Sequence, residues 1–364
     1  MNMLISNHLV VFITGCLFAT GLTAGCTFPF SGEPSSPSSP SSSAPVSRGD
    51  RGSASIISCS ADIKVVSPNK GYALSRTVAY LKASSDVRSA FQLQMTEKVR
   101  SVLLALSRGE KPDASDGTAL LIAEKADDIY RARAAAGGKA GVSVSDFLKD
   151  FIVNSPAFSD ECAGFVQLFM PGLRILSVRE ENSKIILQAS FSPEQYRTAK
   201  RIIDRRSDKD TLEDFAVSGA SLPADMAEAV CCFGWRIGND SAGEPIILSF
   251  GQGVAASESQ QSKINASTKA GLDSQNELRK AMSDLIVSAS MEKLLRERPV
   301  GTAAFVALAD QAAALRKKCG VLTIRGSKKL ESKMYRLSSS ELVVVQVSGM
   351  KPQNIMSAMV AEKK

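Results

Sequence analysis

The first 55 residues limit the fold most strongly, because little in them can enter a packed core. Residues 1–32 contain no Asp, Glu, Lys or Arg, and Leu9–Leu22 is a mostly apolar run. The run matches the hydrophobic stretch of an export signal and is too short to span a bilayer comfortably. Ser31–Ser55 is rich in Ser, Pro and Gly, as in Ser35-Ser36-Pro37-Ser38-Ser39-Pro40-Ser41. Such a composition lacks the apolar area needed to offset the entropy of ordering the chain. A core must therefore be built from roughly the last 300 residues, enough for one large domain or two smaller ones.

The apolar run ends in Leu22-Thr23-Ala24-Gly25-Cys26. This segment resembles the lipobox of bacterial lipoproteins, in which small residues before a Cys admit the signal peptidase. The resemblance implies a signal peptide over residues 1–25, and diacylglycerol with an N-acyl chain, commonly palmitate, on Cys26. Residues 26–60 then form a flexible tether. Two or three acyl chains give stable membrane anchoring where one is marginal. A second box, Ile13-Thr14-Gly15-Cys16, stays open as an alternative, although cleavage there would leave Leu17–Ala24 as an exposed apolar tail. Thr27 stands where lipoproteins retained in the inner membrane often carry Asp. The resemblance therefore places the chain in the cell envelope and favours the outer membrane where one exists.

Composition narrows the chemistry. The only histidine is His8, inside the signal, so a processed chain has none. That argues against Ser-His-Asp and Cys-His catalysis, histidine zinc sites and histidine pH switches. No metal or organic cofactor is expected. The net charge of +7 suits an anionic lipid surface or envelope polymer. Aromatics are 6% of the chain with a single Trp, too few for stacking platforms, and nothing points to nucleic acid.

Periodicity predicts an α+β fold: a mainly helical segment over 61–160, then antiparallel hairpins packed against long helices over 161–364. In the first segment Val78, Leu81, Phe91, Met95, Val99, Val102, Leu103 and Leu106 recur at three- and four-residue steps, with Gly109 as a stop. A second helix is expected over Asp116–Ala136, with Leu120, Leu121, Ile129 and Tyr130 inward. A third should run Ser143–Val153. Leu173–Val178 and Lys184–Ser192 read as a hairpin, and Ser192-Pro193 as the cap of a helix reaching about Arg205. Leu222–Cys232 reads as a short helix, followed by a hairpin of Trp235–Ile237 and Pro245–Phe250. Long helices are expected over Ser262–Arg296 and Ala303–Lys318. Val321–Arg325, Met334–Leu337 and Glu341–Val347 should form a terminal sheet.

Gly234-Trp235-Arg236-Ile237 and Gly243-Glu244-Pro245-Ile246-Ile247-Leu248-Ser249-Phe250-Gly251-Gln252 resemble a domain family of unknown function in exported bacterial proteins. The likeness covers about residues 170–350. It implies a following Ala-rich helix and a later Gly-centred strand, which Ser262–Arg296 and Ile324-Arg325-Gly326 would supply, and it implies no activity.

Few residues suggest a site. Arg316, Lys317, Lys318, Arg325, Lys328, Lys329 and Lys333, with Arg336, form the densest basic cluster and could present one face to anionic lipid or envelope polymer. Cys231-Cys232 reads as two small helix residues rather than a redox or metal pair, since no CxxC accompanies it. Gly251-Gln252-Gly253 lacks the features of a phosphate loop and reads as a turn or bulge. Asp127-Asp128, Glu180-Glu181 and Asp208-Lys209-Asp210 read as solvated surface. Arg48-Gly49-Asp50 matches an integrin-binding tripeptide, and Asn239-Asp240-Ser241 matches a glycosylation sequon; both are short enough to arise by chance. The expectation is a non-enzymatic binding or scaffolding module whose partner is the membrane, an anionic polymer or another envelope protein. The alternatives are an envelope hydrolase using carboxylates or Ser/Lys, and a host-facing adhesin acting through Arg48-Gly49-Asp50.

Overall fold

Two antiparallel sheets and the helices packed on them account for every element of the computed structural model. It describes residues 54–64, 71–138, 140–151, 158–204, 215–217, 222–297, 307–321, 324–337 and 341–352. Cys16, Cys26, Arg48-Gly49-Asp50 and Asp208-Lys209-Asp210 lie outside them. The fold is α+β.

Strand β1 (Ser55–Asp62) opens the described chain, followed by α1 (Tyr72–Ser107), α2 (Gly117–Ala136), α3 (Val144–Phe151) and α4 (Phe158–Phe169). The hairpin of β2 (Arg174–Glu181) and β3 (Lys184–Phe191) follows, then α5 (Pro193–Asp204) and the single turn α6 (Met226–Ala229). Next come β4 (Gly234–Asn239), β5 (Pro245–Ala255), α7 (Gln260–Glu297), α8 (Leu308–Gly320), β6 (Ser327–Arg336) and β7 (Leu342–Met350). The sheet orders are β1-β3-β2 and β4-β5-β7-β6.

Strand β1 corrects the expected tether, which was to run to residue 60. Small polar residues disguise a period of two, in which Ile57, Cys59 and Ala61 are buried while Ile56, Ser58 and Ser60 face out. On α1 the inward stripe is Ala79, Ala83, Val87, Phe91, Met95, Val99 and Leu103, all buried and four residues apart. Val78 and Leu81 lie beside that stripe and are exposed, as is Leu120 on α2; all three were expected inside. Leu121, Ile129 and Tyr130 are buried as expected. The helical segment and the α+β segment share one core. Phe91 of α1 meets Phe191 of β3 at 5.2 Å between ring centres, and Val287 and Met291 of α7 join them.

Local signals explain several boundaries. Asp116 accepts the Ala119 amide at 2.9 Å to start α2, and Ser192 accepts the Gln195 amide at 3.2 Å to start α5. Asn182 and Ser183 both take positive φ in the β2–β3 turn, the geometry that matches strand twist. The short helix expected over Leu222–Cys232 is confined to α6. Of the strand expected over Val321–Arg325, the described residues Val321, Ile324 and Arg325 lie outside any strand, and pairing begins at Ser327. Helix α4 was not anticipated, and residues 152–157 before it are outside the described set.

Helix α7 lies along one face of the four-stranded sheet. A β-carbon at Gly251 would stand 2.0 Å from the Ala270 carbonyl oxygen, and one at Gly253 would stand 1.9 Å from that of Ala266. Gly251-Gln252-Gly253 is therefore neither turn nor bulge. It is the middle of a paired strand, where two missing side chains let helix and sheet backbones touch. Gln252 points to the opposite face and donates to the carbonyls of Val230 and Cys232 at 2.8 and 3.1 Å.

Candidate functional site

The candidate site is a cleft of about 640 Å³ between α1, the β2–β3 hairpin, β4, α7 and the end of α8. Its apolar wall comes from Leu173, Ile175, Leu187 and Ala189. Tyr80 and Trp235 add aromatic surface. Tyr80 is held by stacking on Phe233, with ring centres 4.3 Å apart. Gly234, at φ +79°, begins β4 where a β-carbon would strike Ile175 and the Tyr80 hydroxyl, and so sets Trp235 beside them.

The polar floor is a cluster of charges. Asp284, 2% exposed, accepts two hydrogen bonds from Arg88 at 2.8 and 2.6 Å, and Arg316 stands 3.6 Å away. Burial alone would raise the Asp284 pKa, but the two guanidinium groups outweigh it and hold the carboxyl below the usual range. Glu277 is pushed the other way, because burial dominates over its ion pair with Lys280. Arg174 packs over the Trp235 ring at 5.0 Å, and its Nη1 and Nη2 are buried without a hydrogen-bond partner. Burial pushes this guanidinium down to about 10, with only Asp284 opposing.

The helices place these groups by spacing. Tyr80, Ser84 and Arg88 follow one another at four-residue steps on α1, so they share the face that lines the cleft. Glu277 and Asp284 stand seven apart on α7 and share a face likewise. Ala281–Ser288 is buried at every position, so a charge there has little access to solvent and requires a partner.

The basic cluster expected from sequence does not assemble as one face. Arg316 turns into the cleft toward Asp284, whereas Lys317 and Lys318 are exposed in the last turn of α8. Arg325 is exposed ahead of β6. Along β6 the alternation of the strand divides the rest. Lys328 donates to the Phe215 carbonyl and Lys333 to that of Leu222, while Lys329 pairs beside Ser348 on the α7 side. Arg336 is bound to Glu258.

Cys231 and Cys232 are not helix residues as expected: α6 ends at Ala229, and the pair follows it as two free thiols that part to different neighbours. Cys231 accepts from Arg76 at 3.7 Å and packs at the main core, while Cys232 donates to the Glu228 carbonyl at 3.5 Å and packs against β7. Burial pushes both thiols up. Among the described residues no group of three or more metal-ligating side chains converges, and no helix is long and apolar enough to cross a membrane. Asp127 and Asp128 pair with Arg131 and Arg296. Glu180 is not solvated surface as expected: it binds Tyr72 and the fully buried Arg76. Asn239-Asp240-Ser241 forms the β4–β5 turn, where Asp240 accepts the amides of Ala242 and Glu244.

No protein-family model and no curated protein matches the chain. Among solved structures, a hypothetical protein of Francisella tularensis is similar at 14% identity with a TM-score of 0.47, over 82% of this chain and 83% of that one.

Proposed function

We propose that this protein is a lipid-anchored cell-envelope protein, held through Cys26 and a Ser/Pro-rich tether, whose folded body is a non-enzymatic binding module. One observation carries the binding assignment: a 640 Å³ cleft combining an apolar wall, two aromatic side chains and several fixed guanidinium groups. That mixture of apolar surface with a few convergent polar groups is what small-molecule and segment recognition uses. The membrane is the first partner, through the lipid. An anionic envelope polymer or another envelope protein is the second.

A photo-crosslinker placed in living cells at the cleft rim tests the binding reading, with Ser85 and Lys280 as rim positions and Lys293, on the exposed side of α7, as the comparison. Specific adducts from the rim and not from Lys293 support it; equal labelling from all three removes the cleft as the binding surface. For the anchor, palmitate labelling should be lost in Cys26→Ala. Label that survives moves the anchor, with Cys16 next.

A second reading, a hydrolase using two carboxylates, draws on Glu277 and Asp284, whose surroundings push their pKa values in opposite directions. Against it, both oxygens of Asp284 already accept from Arg88.

A further inference from the structure

The cleft has more fixed positive charge than its own carboxylates match. Lys280 neutralises Glu277. Asp284 alone faces two arginines, Arg88 and Arg316. Arg88 takes both its oxygens. Arg316, which lines the cleft, reaches it only at 3.6 Å, and its Nη2 is buried without a hydrogen bond. Arg174 packs over the ring of Trp235, outside the cleft lining, with two nitrogens in the same condition. A buried guanidinium without a full partner is costly, and a planar two-oxygen anion suits its fork.

We propose that the cleft binds a small organic anion, with a carboxylate or phosphate head on Arg316 and an apolar body against Leu173, Ile175 and Leu187. Arg174 adds to the positive potential at the head without touching it. This rests on the cleft being the binding surface, as proposed above, and names the class of ligand. The size of the cleft, typical of drug-sized ligands, favours a discrete molecule over a lipid surface.

Trp235 is the chain's only tryptophan and lines the cleft, so its fluorescence reports occupancy directly. The full chain in detergent micelles is titrated with phenyl phosphate, with neutral phenol and with inorganic phosphate. Phenyl phosphate should give a saturable change, with each control at least roughly tenfold weaker, since a charge-assisted contact or an apolar body is lost. Added salt should weaken phenyl phosphate and leave phenol unaffected. Arg316→Gln should weaken phenyl phosphate about tenfold or more while its melting curve stays close to wild type. Equal responses to phenyl phosphate and phenol, or wild-type affinity in Arg316→Gln, would overturn the proposal. So would the absence of any saturable change with phenyl phosphate. If Arg316→Gln does not fold, the salt dependence of the wild type decides. Failed titrations beside successful rim crosslinks remove the anion and keep the binding module; successful titrations beside failed crosslinks keep the anion site and remove only a macromolecular partner at the rim.

Discussion

Gly253→Ala puts the contact between α7 and the sheet to a direct test. The new β-carbon would stand 1.9 Å from the Ala266 carbonyl oxygen and 3.0 Å from the Ala270 nitrogen. To reach even a tight contact the two backbones must part by more than about 1 Å. Neither has room to move, because Gly253 is paired to Val344 in β7 and α7 is packed through its length. Overpacking a core usually costs about 1–3 kcal/mol, and an obstacle made of main chain puts this case at about 3. Lower entropy of the unfolded chain offsets only about 0.4–1 kcal/mol. A net loss on the order of 2 kcal/mol or more remains, corresponding in a folded body of this size to a fall in Tm of roughly 3 °C or more. Urea denaturation of wild type and variant measures it. Gly320→Ala is the control, since a β-carbon there meets nothing within 4 Å, and it should be neutral or slightly stabilising. A Gly253→Ala variant within about 0.5 kcal/mol of wild type would refute the close-approach argument, because no flexible side chain is present to absorb the clash.

Other outcomes follow from the buried charges. Glu161→Leu leaves Arg133 without its carboxylate in a site where both side chains are 0% exposed, and should cost about 3–5 kcal/mol. Adding Arg133→Met should recover most of that loss in the same denaturation assay; a double variant as unstable as the single would count against an ion-pair origin. Glu277 has a raised folded pKa, so the stability linked to its protonation is present in acid and fades as pH rises through that value. Glu277→Gln should therefore melt above wild type at pH 8, with the gap closing toward pH 4; a gap independent of pH excludes this cause. Asp284 has the opposite sign: its contribution is present above the ordinary carboxylate range and is lost as pH falls through its lowered value. Cys162, pushed up to about 12 by burial first and Glu161 second, should resist iodoacetamide at pH 8 in the native protein, and rapid alkylation would contradict its placement.

Most of the fold was legible in the sequence because apolar spacing carries it. The β2–β3 hairpin, the cap at Ser192 and the span of α7 follow from period and turn chemistry alone. What the spacing hides is charge on the inward side. Arg76, Arg133, Glu161 and Asp284 sit among buried apolar residues, and a pattern that sorts polar residues outward assigns each of them to solvent. Asp284 did leave a signal, as the lone charge between Ala281 and Met291. The cleft was invisible for a different reason. Tyr80, Trp235, Glu277 and Arg316 meet only through long-range packing, which no local pattern records. The basic cluster misled because strand alternation and the carbonyls of Phe215 and Leu222 sent neighbouring lysines to opposite faces.

The arginine–carboxylate pairs also impose an order on folding. Arg76 awaits a partner 104 residues downstream, and Arg88 one 196 residues downstream. A chain made from its N-terminus therefore exposes α1 with cations that cannot be buried until Glu180 and then Asp284 have appeared. We expect α1 to stay protease-sensitive in a chain truncated before α7 and to become resistant once residue 297 is included. A resistant short fragment would show that the helix settles without its distant carboxylates.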